Sequence, residues 1–173
     1  MSVAVIDASV LLARVLDEPR PAWVDEVIDE GVAGHIDIVA PSLIWVEYGN
    51  RWARRDTSDE RALEALLRVE TLGIQVTETE RPQRLRALTL AREHRLSMYD
   101  AVYLAHAESV DAPLYTLDHR LQDAAERMGL GRQRGGHGRI SEPSASYGDR
   151  AVDLTSLAAI GAALAEMRSE YSD

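Results

Sequence analysis

Ser2-Val3-Ala4-Val5-Ile6-Asp7 is a short apolar run closed by a carboxylate. A run of this length, rich in β-branched residues, reads as a buried strand with the acid at its carboxyl end. Leu114-Tyr115-Thr116-Leu117-Asp118 repeats the arrangement far along the chain. His35 to Ala40, ended by Pro41, and Ile74-Gln75-Val76-Thr77 are two further strand candidates. Helical segments are expected between them. They cover Ala8 to Leu16, a stretch from about Pro21 to Val32, and about Ser42 to Arg55, followed by a helix ending near Gly73. Pro21 is expected in the first turn of its helix, and Thr57-Ser58-Asp59-Glu60 matches a capping box. Glu80 to His94, Met98 to Ser109 and His119 to Met128 follow, the last stopped by Gly129. Strands alternating with helices in this way predict an α/β fold, a three-layer α/β/α sandwich around a central parallel sheet.

That ordering gives the acids a place. In open parallel sheets, ligands bind outside the carboxyl ends of the strands. Asp7 and Asp118 stand at such ends, and Asp100, in Ser97-Met98-Tyr99-Asp100-Ala101, starts a helix that can face the same crevice. Glu47 follows Leu43-Ile44-Trp45-Val46 on a helix, with Asn50 and Arg51 one turn further on. A carboxylate beside an apolar run loses hydration, which is costly for one acid and more so for a cluster. Each alone reads as a helix cap or a surface acid. Together they suggest compensation by a divalent cation. Carboxylates without Cys or His ligands suit a hard ion such as Mg²⁺ or Mn²⁺. On a phosphodiester such an ion orients and acidifies an attacking water and offsets charge in the transition state. Asp7, Asp100 and Asp118 are expected as ligands, direct or through water, and Glu47 as a ligand or as the base. Ser9 and Thr116 are placed to donate hydrogen bonds within the cluster.

The chain has 173 residues, 46% of them hydrophobic, enough for one domain with a sizeable core. No apolar run approaches the ~20 residues of a membrane span. The N-terminal stretch lacks a basic n-region and a small-residue cleavage site, so no membrane association and a cytoplasmic location are expected. The absence of cysteine fits that location and excludes disulfides and thiolate chemistry. All 19 basic residues are arginine, so no lysine is available for catalysis. The net charge of −10 argues against nonspecific coating of nucleic acid. Receiver and haloacid-type phosphatase readings of a strand-end Asp fail for want of lysine. The phosphatase also needs a second Asp where Ser9 stands.

Asp7-Ala8-Ser9, the helical Glu47, Ser97-Met98-Tyr99-Asp100-Ala101 and Leu114-Tyr115-Thr116-Leu117-Asp118-His119-Arg120-Leu121, in this order, resemble the PIN domain and especially VapC-like toxins. The resemblance covers about residues 1–129. It implies a Mg²⁺-dependent ribonuclease that cuts RNA, often as a homodimer, and is held inactive by a small cognate antitoxin. The family's acidic quartet maps onto Asp7, Glu47, Asp100 and Asp118, and its hydroxyl onto Thr116. Two other roles remain open: a PIN nuclease in RNA processing, and a catalytically silent PIN fold that only binds. The family pattern ends with a further strand, for which Arg139-Ile140-Ser141 is a poor candidate. Residues 130–149 instead form a Gly/Arg/Ser-rich linker or loop, and 150–173 an amphipathic helix.

Arg51, Arg54 and Arg55 are candidates to line the cleft, and the arginines between His119 and Arg139 form a local basic patch. Arg81, Arg84, Arg86, Arg92 and Arg95 read as a charged outer face. Trp23, Trp45 and Trp52 read as core or dimer contacts, and Tyr99 as core packing or a base contact. No histidine shows metal-ligand spacing, and only His119 adjoins an acid.

Overall fold

In a computed structural model, residues 2–16 and 18–132 are described. They form β1 (Ser2–Ile6), α1 (Ala8–Val15), α2 (Ala22–Val32), β2 (Ile36–Pro41), α3 (Leu43–Ala53), α4 (Asp59–Glu70), β3 (Gln75–Thr77), α5 (Arg81–His94), α6 (Met98–Ser109), β4 (Leu114–Tyr115) and α7 (His119–Arg127). The strands form one parallel sheet in the order β3-β2-β1-β4, flanked by helices. β1 is central: Val3 and Val5 pair with Asp37 and Val39 on one side, and Val5 and Ile6 with Leu114 and Tyr115 on the other. Its last three residues are buried, as a strand covered on both faces requires.

The chain leaves β1 toward β2 and β3, then returns to pair β4 on β1's opposite edge. The strand order therefore reverses between β1 and β4. At such a point the helices that follow the two strands splay apart and leave a crevice at the carboxyl ends. The core runs through Val5, Ile6, Val10 and Leu11, then Ile38, Ile44 and Leu90, to Leu104, Leu114 and Leu121. Gly31 brings α2 against β2: a Cβ there would meet Ile38 Cδ1 at 2.2 Å.

Several local expectations are corrected. Pro21 is the N-cap of α2 rather than part of its first turn. Pro41 ends β2 as expected, but as its last residue, paired with Thr77, rather than as the residue after it. The cap of α4 is Ser58, whose hydroxyl accepts from the Arg61 amide, and not Thr57. A reciprocal contact expected there occurs instead on α5, where the Glu80 amide donates to Gln83 Oε1 at 2.9 Å. Arg86 is not simply on an outer face, since its guanidinium bonds both oxygens of Glu108 and ties α5 to α6. After α7 the chain turns at Gly129, with φ +74°, and Gly131 makes a single parallel bridge to Leu114. The Leu114 amide donates to Leu130 O at 2.8 Å. This contact lies on the free edge of β4. Arg139-Ile140-Ser141, most of the 130–149 linker and the whole 150–173 helix lie outside the described residues.

Candidate active site

Asp7 and Asp118 end β1 and β4 and cap the helices that follow. Asp7 Oδ1 accepts the amides of Ser9 and Val10 at the start of α1, and Asp118 Oδ1 accepts the Leu121 amide at the start of α7. The bland reading of these acids as caps is therefore true, and it is also what aims them. An N-cap carboxylate lies on the helix axis, where the orphan amides and the dipole favour negative charge.

Hydroxyls join the two strand ends. Ser9 Oγ donates to Asp7 Oδ1 at 2.5 Å and accepts the Leu117 amide at 2.9 Å. Thr116 Oγ1 donates to Asp7 Oδ2 at 2.6 Å and accepts the Asp118 amide at 2.9 Å. Asp7 is buried, at 6% exposure. Burial pushes its carboxyl above the usual range, against the pull of the Ser9 and Thr116 hydroxyls and the backbone amides.

Glu47 and Asp100 reach the same place from helices. On α6, Ser97 caps the helix by accepting the Asp100 amide, and its hydroxyl donates to Asp100 Oδ2 at 2.8 Å. On α3, Glu47 Oε2 accepts the Tyr103 hydroxyl at 2.6 Å. Burial raises the Glu47 carboxyl, the Tyr103 bond opposes that, and the charges of Asp7 and Asp100 raise it further. Tyr103 is itself held far above a normal phenol by burial and by Glu47, so it stays a donor at any accessible pH.

All four acids line one cleft of about 570 Å³, together with Asn50, Arg51, Arg54, Arg55, Tyr99 and Tyr103. Thr116 stands behind it, buried against Asp7. Tyr99 is not core: it is 56% exposed and lines the cleft. Tyr103 is the participant that sequence reading missed. It lies one helical turn beyond Asp100, but it sits in the buried Ala101–Ala107 stretch, where an aromatic reads as packing.

Among the described residues, no three Asp, Glu, His or Cys side chains are gathered tightly enough to chelate an ion outright. The donor set nonetheless suits a hard cation. Glu47, Asp100 and Asp118 each keep one oxygen without a hydrogen bond among the described residues, and Asp7 Oδ2 accepts only Thr116. Their mutual repulsion, visible in Glu47, is what a cation would relieve.

A family model for the PIN domain matches residues 4–127, which takes in all four acids. No curated protein matches the chain. Among solved structures, PAE2754 from Pyrobaculum aerophilum is 26% identical, with 71% of this chain and 84% of that one covered and a TM-score of 0.54. VapBC2 from Rickettsia felis, solved bound to a DNA fragment from its promoter, is 12% identical, with 75% and 95% covered and a TM-score of 0.58. FitAcB from Neisseria gonorrhoeae is 17% identical, with 71% and 93% covered and a TM-score of 0.52. At these identities the last two show a shared fold. With its four motif blocks inside the matched residues, this chain belongs to the PIN domain family.

Proposed function

We propose that the chain is a Mg²⁺-dependent endoribonuclease, the toxin of a type II toxin–antitoxin pair, that hydrolyses RNA phosphodiester bonds. The observation that carries this reading is the meeting of Asp7, Glu47, Asp100 and Asp118 in one cleft at the strand-order reversal of a PIN fold. A silent binding module has no need to keep four mutually repelling acids there. The motif blocks that resemble VapC-like toxins, and the fold shared with VapBC2 and FitAcB, favour a toxin over a processing nuclease.

In this reading Asp7, Asp100 and Asp118 would hold Mg²⁺, with Mn²⁺ as a substitute. Among the described residues, Asp100 and Asp118 each offer an oxygen without a hydrogen bond, and Asp7 the Oδ2 that accepts only Thr116. The bound ion supplies a water of lowered pKa and positive charge beside the phosphate. Asp7 is the pivot, fixed by Ser9 and Thr116. The Tyr103 bond leaves Glu47 Oε1 free, either as a further ligand or to take the water's proton. Its raised pKa improves it as a base, since acceptors work best with a pKa near the working pH. Arg51, Arg54 and Arg55, at the end of α3 and just beyond it, would face the phosphates. A homodimer and a cognate antitoxin are the protein partners of this reading, and Val46, Leu85 and Leu88 are large apolar side chains left exposed for them. The enzyme would act in the cytoplasm; among the described residues no helix is long and apolar enough to cross a membrane.

Cleavage of a mixed RNA pool tests this. Purified, antitoxin-free protein should cut with Mg²⁺ or Mn²⁺, stop with chelator, and lose at least ~100-fold in rate as Asp7→Asn. Cutting that survives both chelator and Asp7→Asn would sink the mechanism.

A further inference from the structure

The arginines do not stop at the cleft. Arg51, Arg54 and Arg55 form its wall on the last turn of α3 and just beyond. Arg55 also lines a second hollow, of about 420 Å³, bounded by α1, α3 and α4. There it meets Arg61 and Arg68 from α4, with Asp56, Glu64 and Trp52. The two hollows thus share Arg55.

Arg55 is held in place: it lies 5.6 Å over the Trp52 ring and 3.8 Å from Glu18, which also bonds Arg51 at 2.9 Å. Tyr48 ties α3 to α4 beneath these arginines by donating to Ala65 O at 2.8 Å. Arg61 and Arg68 are exposed, and neither makes an ion pair among the described residues. They are two helical turns apart, about 10 Å along the axis, enough to meet separate phosphates. On a chain of net charge −10, the run Arg51, Arg54, Arg55, Arg61 and Arg68 gathers five guanidiniums along the cleft wall and the adjoining hollow, where a phosphate backbone would find them. Half of the lining is charged, three arginines against Asp56 and Glu64, which suits a polyanion better than the apolar face of a peptide helix.

We propose that this α1–α3–α4 hollow binds flanking phosphates of the single-stranded RNA whose scissile bond lies at the acids, with Arg55 joining the two sites and Arg61 and Arg68 making the outer contacts. The proposal rests on the ribonuclease reading and extends it, giving the strand a direction away from the acids along α3 and onto α4.

The test uses the full chain and a fluorescent single-stranded RNA of about 20 nucleotides, with anisotropy in chelator across a salt series and cleavage in Mg²⁺. Arg61→Glu/Arg68→Glu should weaken binding at least ~10-fold and flatten the log K against log salt slope by about 1.4, from ~0.7 per phosphate contact. Arg81→Glu/Arg92→Glu makes the same charge change on exposed α5 positions and should stay within about two-fold of wild type. Circular dichroism checks folding, with Arg61→Ala and Arg68→Ala as milder variants. Unchanged binding in Arg61→Glu/Arg68→Glu overturns the proposal and leaves the hollow to a protein partner. Equal weakening by both pairs overturns it too, as general repulsion. If wild type cuts RNA and Arg61→Glu/Arg68→Glu binds and cuts equally well, only this inference fails. Folded wild type that neither binds nor cuts RNA would overturn both readings.

Discussion

At the carboxyl ends of β1 and β4 the fold buries a carboxylate, Asp7, while on α6 it buries an imidazole, His106. Asp7 receives two hydroxyls and two amides, a set of donors that holds an anion in place and only partly offsets its desolvation. His106 has one long contact, 3.4 Å from Nε2 to Thr77 Oγ1, and no donor set around it. Burial alone lowers its pKa to about 4, and the ring is neutral. In the second region the fold avoids the cost of charge by removing it. In the first it spends polar groups to keep charge. That difference marks the β1–β4 end as the place where the fold keeps a costly carboxylate, as the proposed metal site requires.

The comparison can be broken by taking donors away. Thr116→Val keeps shape but removes the donor to Asp7 Oδ2 and the acceptor of the Asp118 amide. We expect destabilisation of about 1–3 kcal/mol and roughly ten-fold slower cleavage, read by urea unfolding and by single-turnover rates. Wild-type values for both would mean that the hydroxyl is not what fixes the acid.

Protonation sharpens the comparison, because the two regions respond to pH with opposite sign. His106 binds a proton more readily unfolded than folded, since its pKa falls from 6.5 to about 4. Its contribution is complete above about pH 6.5 and is lost as pH falls toward 4. Between pH 7 and pH 5 the loss is about 2 kcal/mol, and His106→Gln should abolish that slope in urea midpoints. Asp7 and Glu47, raised on folding, take up protons first in the folded state, so falling pH relieves their cost. An unaltered slope in His106→Gln would place the dependence elsewhere. The smallest effect belongs to Tyr103→Phe. Glu47 is only half-buried, so losing this donor should cost under about 1 kcal/mol and slow cleavage a few-fold.

Much of this was legible in the chain because pattern and chemistry agree locally. Val3 to Ile6 reads as a buried strand, and the acids that close β1 and β4 cap the next helices, so the strand-end carboxylates of the sequence meet in one cleft. Ser9 was legible for the same reason, two residues from Asp7, and Thr116 by its place two residues before Asp118, although the acid it donates to is Asp7 on the neighbouring strand. Tyr103 was not, because its role depends on α6 packing beside α3, a contact across 56 positions that no periodicity reports. The cap on α4 was misread by one residue since Thr57 and Ser58 are equally able to cap. The return beside β4 was missed because a single bridge at Gly131 has no strand signature. Gly131 fits there since a Cβ would stand 2.9 Å from the Glu126 backbone.

The central claim is that the acids are held close for a divalent cation, and it can be tested without knowing the RNA. The measurement is the melting temperature of wild type and Asp7→Asn, with and without millimolar Mg²⁺ or Mn²⁺ at matched ionic strength. The account predicts a rise of several degrees with metal in wild type, by linkage of binding to folding, and little or none in Asp7→Asn. No shift in wild type, or the same shift in both proteins, would contradict it.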